Sequence, residues 1–154
     1  MSIFPTRILL ATDGSEEAEL ATLRAVDLAE RTDSELHVVH VGVVPGFLES
    51  YPGTLGYERR IYQQIEEESR QRLRELSWRV KFAGGAVAGS HLRMGQVDLE
   101  IVALAEELGA GLIVMGSRGL GGVRRALMGS VSDSVMRHAH CPVLVVRQEK
   151  EQAA

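Results

Sequence analysis

A chain of 154 residues with 45% hydrophobic and 25% charged residues suits one globular domain, which at this size buries about 68–70% of its unfolded surface and needs no disulfide or metal staple. Its formal net charge of −4 gives no support to binding of nucleic acid, whose backbone draws on an excess of Lys and Arg. The single cysteine, Cys141, has no internal disulfide partner; Met1 to Ser15 lacks the pattern of a secretory leader; and no apolar run approaches a membrane span, so a cytoplasmic protein without a membrane partner is expected.

The first apolar run, Arg7-Ile8-Leu9-Leu10-Ala11, stops at the turn signal Thr12-Asp13-Gly14 and reads as a buried strand. Helix signals begin at Ser15-Glu16-Glu17, and Ala18, Ala21, Ala25, Leu28 and Ala29 share one face. Leu36 to Val44 reads as a second strand, ended by Pro45-Gly46, and Pro45 to Gly56 as a loop with turns. Tyr57 to Phe82 is highly charged but keeps Ile61, Ile65, Leu73, Leu76 and Val80 near one face, the pattern of a long amphipathic helix. Ala86 to Leu92 follows as a third strand. Val97 to Leu108 is a helix with Ile101, Leu104, Ala105 and Leu108 inward, punctuated by Gly109 and Gly111. Leu112 to Met115 is a fourth strand, Ser130 to Arg137 a short helix and Pro142 to Val146 a fifth strand. Residues 1–147 form one domain on this reading, and 148–154 a polar, frayed tail.

Five strands alternating with four helices predict an α/β fold, a single-domain doubly wound parallel sheet. Ligands in such sheets bind beyond the carboxyl ends of strands, where the strand order reverses. The ends of the first and fourth strands are therefore the places to examine. They carry Thr12-Asp13-Gly14 and Gly116-Ser117-Arg118-Gly119.

Gly116-x2-Gly119 is followed after nine residues by Gly129-Ser130, at a predicted helix start. Glycine backbone approaches an anion closely, and a helix N-terminus adds unpaired donors and a positive dipole end. Such a cradle needs no lysine. A capping reading is equally open: Ser130 with Asp133, and Asp13 with Glu16, both fit the capping-box spacing. The chain has no Walker A sequence, and Arg124 stands where a dinucleotide fingerprint needs its third glycine. Arg118, Arg124 and Arg125 are either phosphate partners or solvated charges. His138, His140 and Cys141 lack the fourth ligand and the second cluster of a zinc site, so no metal is expected. His37, His40 and His91 fall within strands, with no acid or nucleophile at motif spacing. Glu66-Glu67-Glu68 reads as a wet helix face paired with Arg70, Arg72 and Arg74.

Gly116-x2-Gly119-x9-Gly129-Ser130 resembles the ATP-binding motif of the universal stress protein family. The resemblance extends to Ile8 through Ser15, to Leu112 through Gly119, and to Gly129 through Val146, and so covers nearly the whole chain. It implies a Rossmann-like, adenine nucleotide α-hydrolase-like sheet of five parallel strands with helices on both faces. It also implies a homodimer formed through the fifth strand, Val143 to Val146, an apolar edge without a protective Lys. For the ligand it implies ATP, which Mg²⁺ can accompany. Asp13, with Ala11 and Thr12 beside it, would meet the nucleoside. Val41 would offer its backbone to adenine. Met115, Gly116, Arg118 and Gly119 would line the ribose and phosphates, and Gly129, Ser130 and Val131 would hold the phosphates at a helix start. The function so implied is that of a stress-response or regulatory protein that holds ATP. Gly116 to Met128 contains no acidic residue and no Gln to orient water, so no catalytic residue is expected. A slow ATPase or phosphotransferase, and a dimerising module without nucleotide, are the alternatives.

Overall fold

The computed structural model describes residues 2–46, 56–117 and 129–148. Its strands are β1 (Arg7–Ala11), β2 (Glu35–Val43), β3 (Val87–Gly95), β4 (Leu112–Gly116) and β5 (Val143–Val146). Its helices are α1 (Glu16–Thr32), α2 (Gly56–Phe82), α3 (Val97–Leu108) and α4 (Ser130–His138). All strand pairs are parallel, in the order β3-β2-β1-β4-β5. The expected doubly wound sheet is therefore the architecture found.

Alternation along each strand divides the core in two. Ile8, Leu10, Leu36, Val38, Leu112 and Val114 face α1 and α2, packing on Ala21, Ala25, Leu73 and Val80. Leu9, Ala11, Val39, Val41, Ile113 and Met115 face the other way, onto Ile101, Leu104, Ala105 and Val135. The central strands β1, β2 and β4 are buried on both faces, which is why their sequences read as continuous apolar runs rather than alternating ones.

The local signals act largely as their residues predict. Ser15 caps α1, its hydroxyl accepting from the Ala18 N–H at 3.2 Å. Gly109 ends α3 in the left-handed conformation, φ 64°. Strand β3 runs three residues further than its own sequence suggests, because its ladder with β2 continues to Val43↔Gly95. Helix α2, at 27 residues, is about 40 Å long and exceeds the span of the strands it covers. Its lower half is buried at Leu73, Leu76 and Val80, while Ile61 and Ile65 remain half-buried. No described helix is long and apolar enough to cross a membrane.

Beneath α3, His37 and His91 stack with ring centroids 5.3 Å apart, His37 Nδ1 lying 3.1 Å from His91 Nε2. Only one proton fits between those nitrogens. Burial, then the neighbouring His37 and Arg93, push the His91 pKa below its ordinary value, against an opposing pull from Glu107. Such a group contributes stability that is complete above its unfolded pKa and is lost as pH falls below it. The loss begins as pH falls below about 6.5, the ordinary histidine value, above the range in which the lowered carboxyls Glu35 and Asp98 titrate. The urea midpoint is expected to fall as pH drops past that value, and His91→Gln to make the fall shallower. An unchanged slope in the variant would rule out the histidine stack as a source.

Candidate functional site

The strand order reverses between β1 and β4, so the connections that follow these strands leave to opposite sides and open the crest of the sheet. A cavity of about 600 Å³ lies there, within the roughly 300–1,000 Å³ common for small-molecule sites. One wall is apolar and comes from Val39, Val41, Val97, Ile101, Met115 and Val131. The facing wall is polar and comes from Thr12, Asp13, His40, Glu68, Ser69 and Arg72. Gly116, Ser117, Ala11, Ala18, Gly42, Val43 and the start of α4, Gly129 to Ser132, add to the lining.

Asp13 ends the first strand's turn. Its Oδ1 accepts from the Ser15 N–H at 2.9 Å, and Gly14 follows at φ 82°, a conformation that favours glycine. Ser15, not Asp13, caps the helix, so the capping reading of Asp13 gives way to a turn that sets its carboxylate in the cavity wall. The backbone of Val41 is placed by the ladder. Thr12 N–H donates to Val39 O at 3.3 Å, and strand alternation aims the Val41 N–H and C=O to the same side, past the last β1–β2 rung at Ala11↔Val39.

Helix α4 corrects the expectation that Ser130 is an N-cap. Gly129 occupies that position, at φ −74° and ψ 160°, and no side chain caps the helix. Ser130 is the first helical residue and is exposed. Asp133, expected as its capping partner, instead pairs with Arg137 at 3.2 Å. The first turn of α4 thus faces the cavity with its positive dipole end and no side-chain acceptor. His138 is at the other end, its Nδ1 2.8 Å from Ser134 O.

Ser117 holds this end of the site together. It is 1% exposed. Its N–H donates to Val146 O at 2.9 Å, and its carbonyl accepts from the Gly129 N–H and the Ser132 hydroxyl, both at 2.6 Å. Its own hydroxyl donates to buried Glu17. Gly116 is required beside it, since a Cβ there would stand 3.0–3.1 Å from the α1 backbone at Glu17 and Ala18.

The structure thus brings Ala11, Thr12, Asp13, Val41, Met115, Gly116, Gly129, Ser130 and Val131 to one cavity. Arg118, Gly119, Arg124 and Arg125 lie outside the described residues, as do most of the loop between β2 and α2 and the tail after residue 148. Sequence reasoning missed His40, Glu68, Ser69 and Arg72. Arg70 and Arg74 do pair with Glu66 and Glu67, at 2.8 and 3.7 Å, but Arg72 turns to Glu75 at 3.6 Å. A signal for Ser69 was present: it continues the inward stripe Leu73, Leu76, Val80 by one turn. His40 lies deep enough that burial pushes its pKa below the ordinary value; its bond to Thr12 O and the charge of Asp13 pull it up, and Arg72 pushes it down.

Ser117→Ala is expected to cost about 1.5–3 kcal/mol of stability, the range for hydrogen bonds to charged groups, measured by urea unfolding. A loss below about 0.5 kcal/mol, the floor for ordinary hydrogen bonds, would show that the Glu17 contact contributes little.

Comparison with known proteins agrees with this geometry. The model of the universal stress protein family matches residues 5–147. The universal stress protein MJ0531 of Methanocaldococcus jannaschii is 34% identical over 146 residues, covering 95% of this chain and 84% of its own. Among solved structures, the protein MJ0577 superposes with a TM-score of 0.81 at 27% identity, covering 97% of this chain and all of its own. A universal stress protein family member from Burkholderia pseudomallei superposes at 0.64 with 30% identity, over 95% and 98% of the two chains. The match in sequence and in fold runs through every element that lines the cavity, and the chain belongs to the universal stress protein family.

Proposed function

We propose that this protein binds an adenine nucleotide, ATP in the first place, and acts as a nucleotide-responsive stress or regulatory protein rather than as an efficient enzyme. The observation that carries this reading is the division of the cavity: an apolar wall suited to a base, and at its far end the uncapped N-terminus of α4. In this reading Met115 and Val41 pack on the base, and the Val41 backbone meets its edge. Asp13 accepts from ribose hydroxyls. The amides of Ser130 and Val131, with Gly129, Gly116 and the Ser130 hydroxyl, hold phosphates; Arg118 and Gly119 would extend that cradle. A solved universal stress protein in complex with cAMP, 24% identical and superposing with a TM-score of 0.69, supports an adenine nucleotide as the ligand class.

Fixed amides and a helix dipole stabilise ground-state charge, whereas turnover needs interactions that strengthen in the transition state. The carboxylates on the cavity lining are Asp13 and Glu68. Glu68 accepts from Gln64 at 3.2 Å on the same helix, and Asp13 is committed to its turn. Neither stands at the start of α4, where an attacking water would be oriented. Mg²⁺ would be held by the phosphates and water.

Calorimetric titration of ATP, ADP, AMP and cAMP, with a phosphate-release assay, tests the proposal. ATP is expected to bind, Asp13→Ala to weaken it by about 1.5–3 kcal/mol, and release to fall far below the usual median turnover of about 10 s⁻¹. Robust release lost in the variant would establish an enzyme instead, and no binding of any nucleotide would overturn the reading.

We also propose a homodimer through β5. This strand is at the sheet edge, carries no charge, and leaves Leu144 exposed, a combination that invites pairing with another chain. Light scattering at micromolar concentration is expected to give twice the monomer mass, and a monomer would refute the edge assignment.

A further inference from the structure

Helix α2 brings to the cavity a hydroxyl that the fold itself does not use. Ser69 is 7% exposed, lines the cavity, and makes no hydrogen bond among the described residues. Elsewhere among the described residues, buried or half-buried helical hydroxyls have a protein partner: Thr22 donates to Ala18 O at 2.9 Å, Thr32 to Leu28 O at 2.6 Å, and Ser77 of the same helix lies 2.9 Å from the Ser90 hydroxyl. Ser69 has none among them. Its hydroxyl sits over the end of β2, where a Cβ at Gly42 would collide with it and with the Met94 sulfur. Alanine would serve that packing equally well. The Ser69 oxygen opens onto the cavity, where water or a ligand can meet it.

His40 stands on the same wall. Its Nδ1 is 3.3 Å from Thr12 O, and a carbonyl only accepts, so Nδ1 carries the hydrogen. In a neutral imidazole Nε2 is then an acceptor, and among the described residues it has no partner. Arg72 completes the row, its guanidinium beside Gly14.

We propose that Ser69 and His40 are ligand-contact residues that hold the nucleoside part of the nucleotide along the α2 wall, with Arg72 packed beside them. The inference rests on the adenine-nucleotide reading above. The nucleoside is singled out over the phosphates by position and by charge. Ser69 lies over β2 on the α2 face of the sheet, whereas the amide cradle is at the start of α4, beyond β4 and on the opposite face. An acceptor nitrogen, a hydroxyl and the carboxylates of Asp13 and Glu68 suit the hydroxyl and amine groups of a nucleoside, and the charge of Arg72 on the same wall is met by Glu75 at 3.6 Å.

Calorimetry on the full chain with adenosine, inorganic tripolyphosphate and ATP separates the two ends of the site. Ser69→Ala deletes the hydroxyl. His40→Asn keeps an N–H for Thr12 O and removes the Nε2 acceptor. Each variant is expected to bind adenosine and ATP about 3–10-fold more weakly, the equivalent of one hydrogen bond, and tripolyphosphate as the wild type does. Circular dichroism melts verify folding, and should one variant fail to fold, the other still decides. Unchanged adenosine affinity in a folded variant, or an equal loss for tripolyphosphate, would overturn the assignment while leaving nucleotide binding intact. A wild type that binds neither adenosine nor ATP would instead sink the nucleotide reading and this inference with it.

Discussion

Ser117 ties four separate parts of the chain to one point: its N–H to the end of β5, its carbonyl to the start of α4, and its hydroxyl to Glu17 in the first turn of α1. The four bonds join residues that are 12, 15, 29 and 100 positions apart. Without them the end of β4 would have no fixed relation to α4, and the uncapped helix start would not face a cavity. The reversal of strand order between β1 and β4 opens the crest, but the Ser117 contacts decide what faces into it. The paired demands of close approach at Gly116 and hydrogen bonding at Ser117 explain why a glycine and a serine stand together where the strand ends.

The electrostatics follow from the same arrangement. A chain of net charge −4 has no excess of cations to gather an anion, and the described lining contains one, Arg72. Attraction for negative charge comes instead from the α4 dipole and its free amides, which are fixed in direction and cost no reorganisation when a ligand arrives. Asp133, in the first turn, adds favourably to the helix itself, and its pairing with Arg137 draws its charge along the helix flank. The cavity is thus polarised from end to end, with amide donors at α4 and acceptors at Asp13, Glu68 and His40.

Helix α2 has two roles that divide along its length. Its lower half closes the core through Leu73, Leu76 and Val80, and its middle supplies the polar wall. The contact of Ser69 with Gly42 lies at the changeover: Ser69 approaches the sheet there and, with Glu68 and Arg72, lines the cavity. The absence of a side chain at Gly42 lets the helix come this close, so a backbone feature of β2 sets the width of the polar side of the site.

The sequence by itself determined the element types, since period-two burial, continuous apolar runs and turn residues are local properties that each segment carries alone. It also determined the place of Gly116 at the end of β4, of Gly129 before α4 and of Asp13 after β1. Tertiary structure decided what no local signal encodes. The end of β3 is set by its partner β2, so the strand outruns its own apolar run. Gly129 rather than Ser130 caps α4, because the Gly129 N–H is taken by Ser117 O and the serine is carried one position into the helix. Arg72 read as part of a wet helix face, His40 as one more strand residue, and Ser69 drew no reading at all. Only the packing of α2 across the end of β2 makes them neighbours of Asp13, because contacts between residues tens of positions apart depend on chain path and close packing, and neither is written in the spacing of any one segment.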